Sequence, residues 1–330
     1  MSIAWAVAAL ALFTVACGGN QSMLNPQGPG ARSIASLVWL MFALCAVVYV
    51  AVLVALTWAL ARRRREGDEH PDMARSLTRW VTGATILTAV ALVVLTVSSE
   101  VAGRGLITPR GPGAITVAVV GHQWWWDFQY RDVTPSEVVT SPNELHIPVG
   151  IPVALELSSR DVIHTFWVPN LQGKRDLIPG QVNRMWLQAD RPGTYRGQCA
   201  EFCGHQHAKM AFVVVAEPME RFQAWLRQQR APAAEPRSDE ERRGRDIVER
   251  TTCASCHAVR GTTAGSRFGP DLTHVASRQT LAAGTLPNTR KHLEQWIVDS
   301  QSIKPGNRMP PIPLDATELQ DVVSYMRSLR

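Results

Sequence analysis

Charge is missing from two long stretches of the 330-residue sequence, residues 33–61 and 80–99. Each is long enough for an α-helix to cross a hydrocarbon core of ~30 Å, which excludes a wholly soluble chain and predicts two membrane spans. Neither stretch holds a histidine, so imidazole cannot ligate haem or metal within the spans. Internal repeats are absent as well, which excludes a solenoid. Cysteine is scarce, six residues in all, and four of the six fall in two short clusters at 199–203 and 253–256. A single core is not expected at this length; there is room for two domains beside the membrane part.

Between the spans lie Arg62, Arg63, Arg64 and Arg65, with Arg75 and Arg79 further on. Arginine excess in a short loop marks the cytoplasmic side, so both chain ends are expected outside, in an oxidising compartment, the periplasm if the organism is a bacterium. Much of the formal net charge of +6 sits in that loop and gives no reason to expect nucleic acid. Residues 1–16 are apolar but short for a span and end at "TVACGGN", which reads as a signal peptide. Cys17 follows small residues, as a lipid-attachment cysteine does. Ordinary cleavage and an uncleaved segment are the alternatives, since a basic n-region is lacking. Cys45, within the first span, reads as a small packing residue.

Beyond the spans, residues 115–120, 144–147, 153–157 and 211–215 are short β-rich runs punctuated by Pro and Gly, and "VALELSS" alternates as a half-buried strand should. "PGQVNRMWLQADRPGTYRGQC" reads as a hairpin pair, so residues 110–217 are expected to form one all-β sandwich. "MERFQAWLRQQ" is an amphipathic helix, and "RAPAAEPRSDEE" is a linker without apolar periodicity. From residue 242 the period becomes helical: "GRDIVERTTC" runs into a cysteine pair, "RKHLEQWIVDS" is amphipathic, and "DATELQDVVSYMRSLR" opens at an Asp N-cap. The last domain is therefore small and mostly α.

The segment "CAEFCGHQHAKM" gathers Cys199, Glu201, Cys203, His205, His207 and Met210 on one loop. Thiolate, imidazole and thioether together select copper, zinc or an iron–sulfur cluster over hard ions. One thiolate, two imidazoles and an axial thioether would make a blue-copper site, but a second cysteine exceeds that need. Two thiolates can instead bridge two copper ions, and the extra histidine this demands is offered by His164 in "DVIHTFWVPN". A Cys199–Cys203 disulfide is the plainer alternative, though it needs neither the histidines nor the methionine. Spacing alone leaves His205 and His207 as rivals.

"CASCH", residues 253–257, is the C-x-x-C-H signature of covalent haem attachment. The thiols of Cys253 and Cys256 would add to haem vinyl groups and His257 would ligate iron. A redox dithiol or a disulfide is the alternative, disfavoured by the lack of a β-α-β context. The sixth ligand should lie on a downstream loop, where "IKPGNRMP" offers Met309; Met326, on the amphipathic C-terminal helix, is the competitor.

The order D-x-x-H followed by C-x-E-x-C-x-x-x-H-x-x-M resembles the binuclear copper (CuA) domain of cytochrome c oxidase subunit II, and the paired spans before it are similar too. The resemblance implies Cys199 and Cys203 as bridging thiolates, His164 and His207 as terminal imidazoles, and Met210 with the Glu201 backbone carbonyl as weak ligands. It places Asp161 just behind the ligands, and it implies that the Glu201 carboxylate helps bind a magnesium ion shared with the catalytic subunit. In "GHQWWWDFQY" a strand would put Trp124 and Trp126 on one face and Trp125 on the other, with at least one ring toward solvent. Packing is the ordinary role of such rings; the resemblance makes Trp124 the electron-entry residue. Trp125 stands where tyrosine is frequent in the family. Residues 240–330 resemble class I cytochromes c, and the whole arrangement resembles a caa3-type subunit II.

The expected fold is thus a multidomain membrane protein. It comprises a signal peptide (1–16), an exported segment (17–32), a transmembrane helix hairpin (33–100), an all-β cupredoxin-like CuA domain (101–219), a helix and linker (220–239) and an all-α cytochrome c domain (240–330). The resemblance implies the electron-entry subunit of a proton-pumping haem-copper oxidase in a bacterial plasma membrane, with one haem c, two coppers and interfacial magnesium as cofactors. Subunit I would reduce oxygen, subunit III would be a further partner, and cytochrome c or another respiratory donor would stand upstream. The linker would keep the cytochrome near the copper at an effective concentration on the order of millimolar. One departure is that many family members carry a glutamate on a proton-uptake path at the start of the second span. "RSLTRWVTGA" has none, and the nearby acids are Glu66, Asp68, Glu69 and Asp72. Nitrous oxide reduction would need a β-propeller that this length cannot supply, a quinol oxidase subunit would lack the copper ligands, and a copper carrier or sensor would have no use for covalent haem.

Overall fold

The computed structural model describes residues 19, 21–61, 73–107, 115–131 and 138–330. The signal-peptide stretch, Cys17, Arg62 to Arg65 and the acids Glu66, Asp68, Glu69 and Asp72 lie outside the described residues. Two compact units result, one of Arg32–Leu106 and one of Met1–Ala31 with Ile107–Arg330.

The first unit is made of α1 (Pro29–Ala61) without its first three residues and α2 (Met73–Ile107) without its last. Both are long and apolar enough to cross a membrane. Both exceed the charge-free runs, because a helix continues wherever its ends can be satisfied; at the end of α2, Arg104 pairs with Glu100 one turn back at 2.8 Å. Polar hydroxyls inside the apolar runs are satisfied internally, since Thr57, Thr85, Thr88 and Thr96 each donate to the carbonyl four residues earlier at 2.8–2.9 Å. Cys45 is exposed on α1 and fills no packed interior among the described residues.

The second unit begins with a sandwich of ten strands: β1 (Ile115–His122), β2 (Trp125–Tyr130), β3 (Val139–Pro142), β4 (Glu144–Pro148), β5 (Val153–Ser159), β6 (His164–Trp167), β7 (Arg175–Leu177), β8 (Asn183–Leu187), β9 (Gly193–Cys199) and β10 (Ala211–Glu217). They form two five-stranded sheets in the orders β3-β2-β1-β5-β8 and β4-β10-β9-β6-β7. Alternation in β5 buries Val153, Leu155 and Leu157, while Phe166 of β6 stacks on Phe212 of β10 at 4.8 Å and Trp126 meets Phe212 edge-on at 5.1 Å. The expected hairpin over 179–199 is not formed. β8 pairs with β5 in one sheet, and β9 pairs with β10 and β6 in the other. Two strands that face one core from opposite sheets carry the same alternation as a hairpin, so the pattern alone could not separate them.

Residues 17–32 were expected only as an exported segment; their described part is bound to the sandwich. The Asn170 side chain donates to the carbonyls of Gly19, Ser22 and Asn25 at 3.0–3.2 Å, and its backbone carbonyl accepts from Gln27 N at 2.7 Å. At the other end, α3 (Met219–Arg230) lays Trp225 flat on His146, with ring centroids 4.0 Å apart.

The cytochrome-like part comprises α4 (Asp239–Arg250), α5 (Thr252–Cys256), the short pair β11 (Thr280–Leu281) and β12 (Leu286–Pro287), α6 (Arg290–Val298), α7 (Ser300–Ile303) and α8 (Ala316–Ser328). Ser238, Thr289 and Asp315 cap α4, α6 and α8, and Asp315 forms a reciprocal capping box with Glu318. α4 crosses α8 so closely that a Cβ on Gly244 would lie 2.1 Å from the Asp321 carbonyl oxygen; Arg243 closes the crossing by gripping the Asp321 carboxylate at 2.7 and 2.8 Å. The segment expected as a free linker is fastened down. Arg260 donates to the carbonyls of Gln229 and Arg230 at 3.0 and 2.8 Å, and Ala233 N donates to Arg260 O at 2.8 Å. Its anchors are main-chain groups, which leave no trace in composition.

Candidate metal centre and haem cleft

Strand β9 ends at Cys199 and β10 starts at Ala211, so the eleven-residue turn between them is forced to the sandwich end where β6 begins with His164. There Cys199 Sγ lies 3.8 Å from Cys203 Sγ and 3.9 Å from His164 Nδ1, while Cys203 Sγ lies 3.6 Å from His207 Nδ1 and 3.8 Å from Met210 Sδ. The carbonyl of Glu201 is 3.2 Å from Cys199 Sγ. Cys199, Cys203, His164 and Met210 are all buried, and the first three form a possible metal-holding cluster. A sulfur separation of 3.8 Å is far too long for a disulfide. It suits two thiolates bound to the same metal, given metal–sulfur bonds of about 2.3 Å. The soft donor set fits a copper pair.

The hydrogen bond between the two sulfurs pulls the Cys199 thiol well down, and the same bond with burial pushes Cys203 up. Burial works against protonation of His164, but the carboxylate of Asp161 and the Cys199 sulfur outweigh it. Asp161 Oδ1 stands 2.9 Å from His164 Nε2, and its other oxygen accepts from Gln123 N at 2.7 Å. Held in this way, the ring turns Nδ1 to the thiols. Gly121 makes room for it, since a Cβ there would come within 2.8 Å of His164 Cδ2. Of the rival histidines, His207 faces Cys203, whereas His205 is exposed and lies near Gly306. The Glu201 side chain is exposed.

Trp124 does not sit on a strand. It occupies the turn between β1 and β2, which frees it from the alternation that was expected to pair it with Trp126. Its Nε1 donates to the Cys203 carbonyl at 2.9 Å. Trp125 stacks on His122 at 4.2 Å and Trp126 is fully buried, while Trp124 and Trp125 are each only half-buried.

A cleft is lined by Cys253, Cys256, His257, Met309 and Met326 and, on its other wall, by His122, Gln123, Trp124 and Trp125. His257 Nδ1 is engaged by Pro270 O at 2.6 Å, which leaves Nε2 as the ring's remaining ligand atom. Burial lowers its pKa and keeps the ring neutral, as a metal ligand must be. The Met309 backbone is fixed at both ends: its N donates to Asn307 Oδ1 at 2.7 Å, and its carbonyl accepts from Ser300 and Gln301 at 2.8 and 2.9 Å. Met326 is packed in the α8 core beside Val322 and Val323. Paired thiols, a fixed neutral imidazole and an apolar-walled cleft fit a covalent haem.

Residues 115–217 match the family model for the cytochrome c oxidase subunit II periplasmic domain, and residues 241–330 match that for cytochrome c. The cytochrome c oxidase subunit 2 of Alkalihalophilus pseudofirmus is 36% identical, over 97% of this chain and 95% of its own length. The chain belongs to the cytochrome c oxidase subunit II family. The subunit 2 of Bacillus sp. strain PS3 is 29% identical over 81% of this chain and 80% of its own length, and a quinol oxidase subunit 2 of Bacillus cereus is 30% identical over 75% of this chain and 87% of its own. As a subunit II of the cytochrome-fused kind, this chain is part of a haem-copper oxidase with subunit I as partner, and its apolar helices fit a membrane anchor.

In this subunit II the cytochrome domain is seated on the copper domain instead of only tethered to it. Ala211 N donates to Ala283 O at 3.0 Å, Gln279 N to Glu144 Oε2 at 2.9 Å, and Gln206 Nε2 to Pro305 O at 2.5 Å. Arg308 donates to Gln123 Oε1 at 3.1 Å and stands 3.8 Å from Asp161. Sequence reading missed Gly121, Gln123, Lys304 and Arg308. Only the crowding of basic residues around Met309 in "IKPGNRMP" hinted that this loop has a second task.

Proposed function

We propose that this chain is the electron-entry subunit of a proton-pumping cytochrome c oxidase, placed in a bacterial plasma membrane with its copper and cytochrome domains on the periplasmic face. Cys199, Cys203, His164, His207, Met210 and the Glu201 carbonyl would hold a CuA pair, and Cys253, Cys256, His257 and Met309 a haem c. The bound groups supply one-electron redox chemistry. The chain's own part is to bury the donors, fix His164 through Asp161 and His257 through Pro270, and set the Trp124 ring between cleft and thiolates. The observation that carries this reading is that Trp124 lines the cleft holding Cys253, Cys256 and His257 while its indole bonds to Cys203, a copper-ligand candidate.

Phe202 and Ile163, each next in sequence to a ligand candidate, are 76% and 45% exposed and offer an apolar surface to subunit I. The Glu201 carboxylate would contribute to a magnesium site completed by that partner; subunit III and an upstream cytochrome c donor complete the assembly. Residues 101–219 and 240–330 would be the two functional domains. Flash reduction of the haem in the whole oxidase tests the proposal: copper should be reduced by its own chain's haem, at a rate independent of protein concentration. A concentration-dependent rate would defeat it.

A further inference from the structure

Lys304 follows α7 and is 3% exposed. Its ammonium donates to Trp124 O at 3.0 Å, Lys209 O at 3.0 Å and Ala282 O at 3.2 Å. These acceptors belong to the turn that carries Trp124, the residue before Met210, and the turn after β11. An ammonium has three N–H donors, so every one is used and each holds a different segment. Lysine is seldom buried without a carboxylate, because the desolvation is costly; here the acceptors are backbone carbonyls.

The contact is reciprocal. Lys209 donates from its own ammonium to Ile303 O, so each lysine grips the main chain of the other's segment. Gln206 and Gln123 add contacts to Pro305 and Arg308, so the run 303–308, just before Met309, is held to the copper-domain loops at successive points. Met309 and the copper-ligand loop are thereby joined through a few bonds.

We propose that Lys304 is a positioning residue that locks the Met309 loop onto the Trp124 turn and the copper-ligand loop, so that cleft and metal centre act as one rigid body. The proposal rests on the electron-entry reading for its functional consequence, but not for the contact itself. Electron tunnelling falls steeply with distance, so a small loosening costs rate even when both cofactors remain bound.

Two experiments on the full-length protein test it. In the unsubstituted protein, acetylation followed by mass spectrometry should modify Lys304 at least about tenfold more slowly than exposed Lys174 and Lys291, as expected for a side chain reached only by opening. Equal labelling would overturn the proposal. In the oxidase carrying Lys304→Met, haem and copper spectra should be unchanged, while copper reduction after haem photoreduction should slow by about tenfold or more and become viscosity-dependent, as for a step gated by domain motion. A rate within about twofold of the parent, with no viscosity effect, would overturn it. If Lys304→Met does not assemble with both spectra, Lys304→Gln, which keeps an N–H donor, is judged by the same criterion. Failure of haem to reduce copper in the unsubstituted oxidase would sink the electron-entry reading instead, leaving the labelling result to judge the contact.

Discussion

The indole N–H of Trp124 donates to the carbonyl oxygen of Cys203 at 2.9 Å, and the Gln123 side chain donates to the same oxygen, also at 2.9 Å. One ring thus borders the cleft and touches the backbone of a copper-ligand candidate. Trp124→Phe keeps an aromatic ring but removes the bond, worth about 1 kcal/mol. Electron entry into copper should slow by about tenfold or more while the copper spectrum persists. Flash photolysis with spectral controls checks this, and an unchanged rate would remove Trp124 from the route.

Asp161 fixes His164 from behind through a 2.9 Å contact. Asp161→Ala should weaken copper binding by roughly 10–100-fold, the usual effect of losing such a partner, without unfolding the sandwich. Competition with a copper chelator gives the number, and circular dichroism monitors the fold.

Met309 and Met326 both line the cleft, but Met326 belongs to the packed core of α8. Met309→Leu should abolish the methionine-to-iron charge-transfer band and lower the haem potential. Met326→Leu should keep the band and cost less than about 1.5 kcal/mol of stability, as volume-conserving core changes do. The opposite pattern would exchange their roles.

His146 is buried, 3.0 Å from Glu144 and 2.9 Å from Glu217. Burial opposes its protonation, but the two carboxylates outweigh burial and raise its pKa above the ordinary 6.5. A raised folded-state value means that its stabilisation is fully present below about pH 6.5 and is lost as pH rises through that higher value. The melting temperature should therefore fall across this window, and His146→Gln should flatten the slope; a parallel profile in the variant would refute the assignment. Because Glu144 also accepts from Gln279, the seating of the cytochrome domain should loosen over the same range.

Much of this architecture was legible because its signals are local. Two runs without charge mark the two long apolar helices, alternation fixes β5, and Asp315 with Glu318 marks the start of α8. The candidate cysteines were legible for the same reason, since their type and spacing are written in two short loops, whereas spacing left His205 and His207 as rivals and only the resemblance chose between them. The partition of β8 and β9 between sheets was not, because it depends on partners far along the chain. Nor was the position of Trp124, which a turn removes from the strand's alternation. The seating of the domains was hidden for a further reason: Lys304, Gln206 and Arg260 grip carbonyl oxygens, and every residue has one.

Metal and haem analysis of the intact purified protein, with the electron paramagnetic resonance of its copper, decides whether one chain carries both a copper pair and a haem c. Copper and haem are expected in a ratio of two to one, with the hyperfine pattern of an electron shared between equivalent coppers. A single copper of the blue type, zinc in its place, or a disulfide between Cys199 and Cys203 would contradict this.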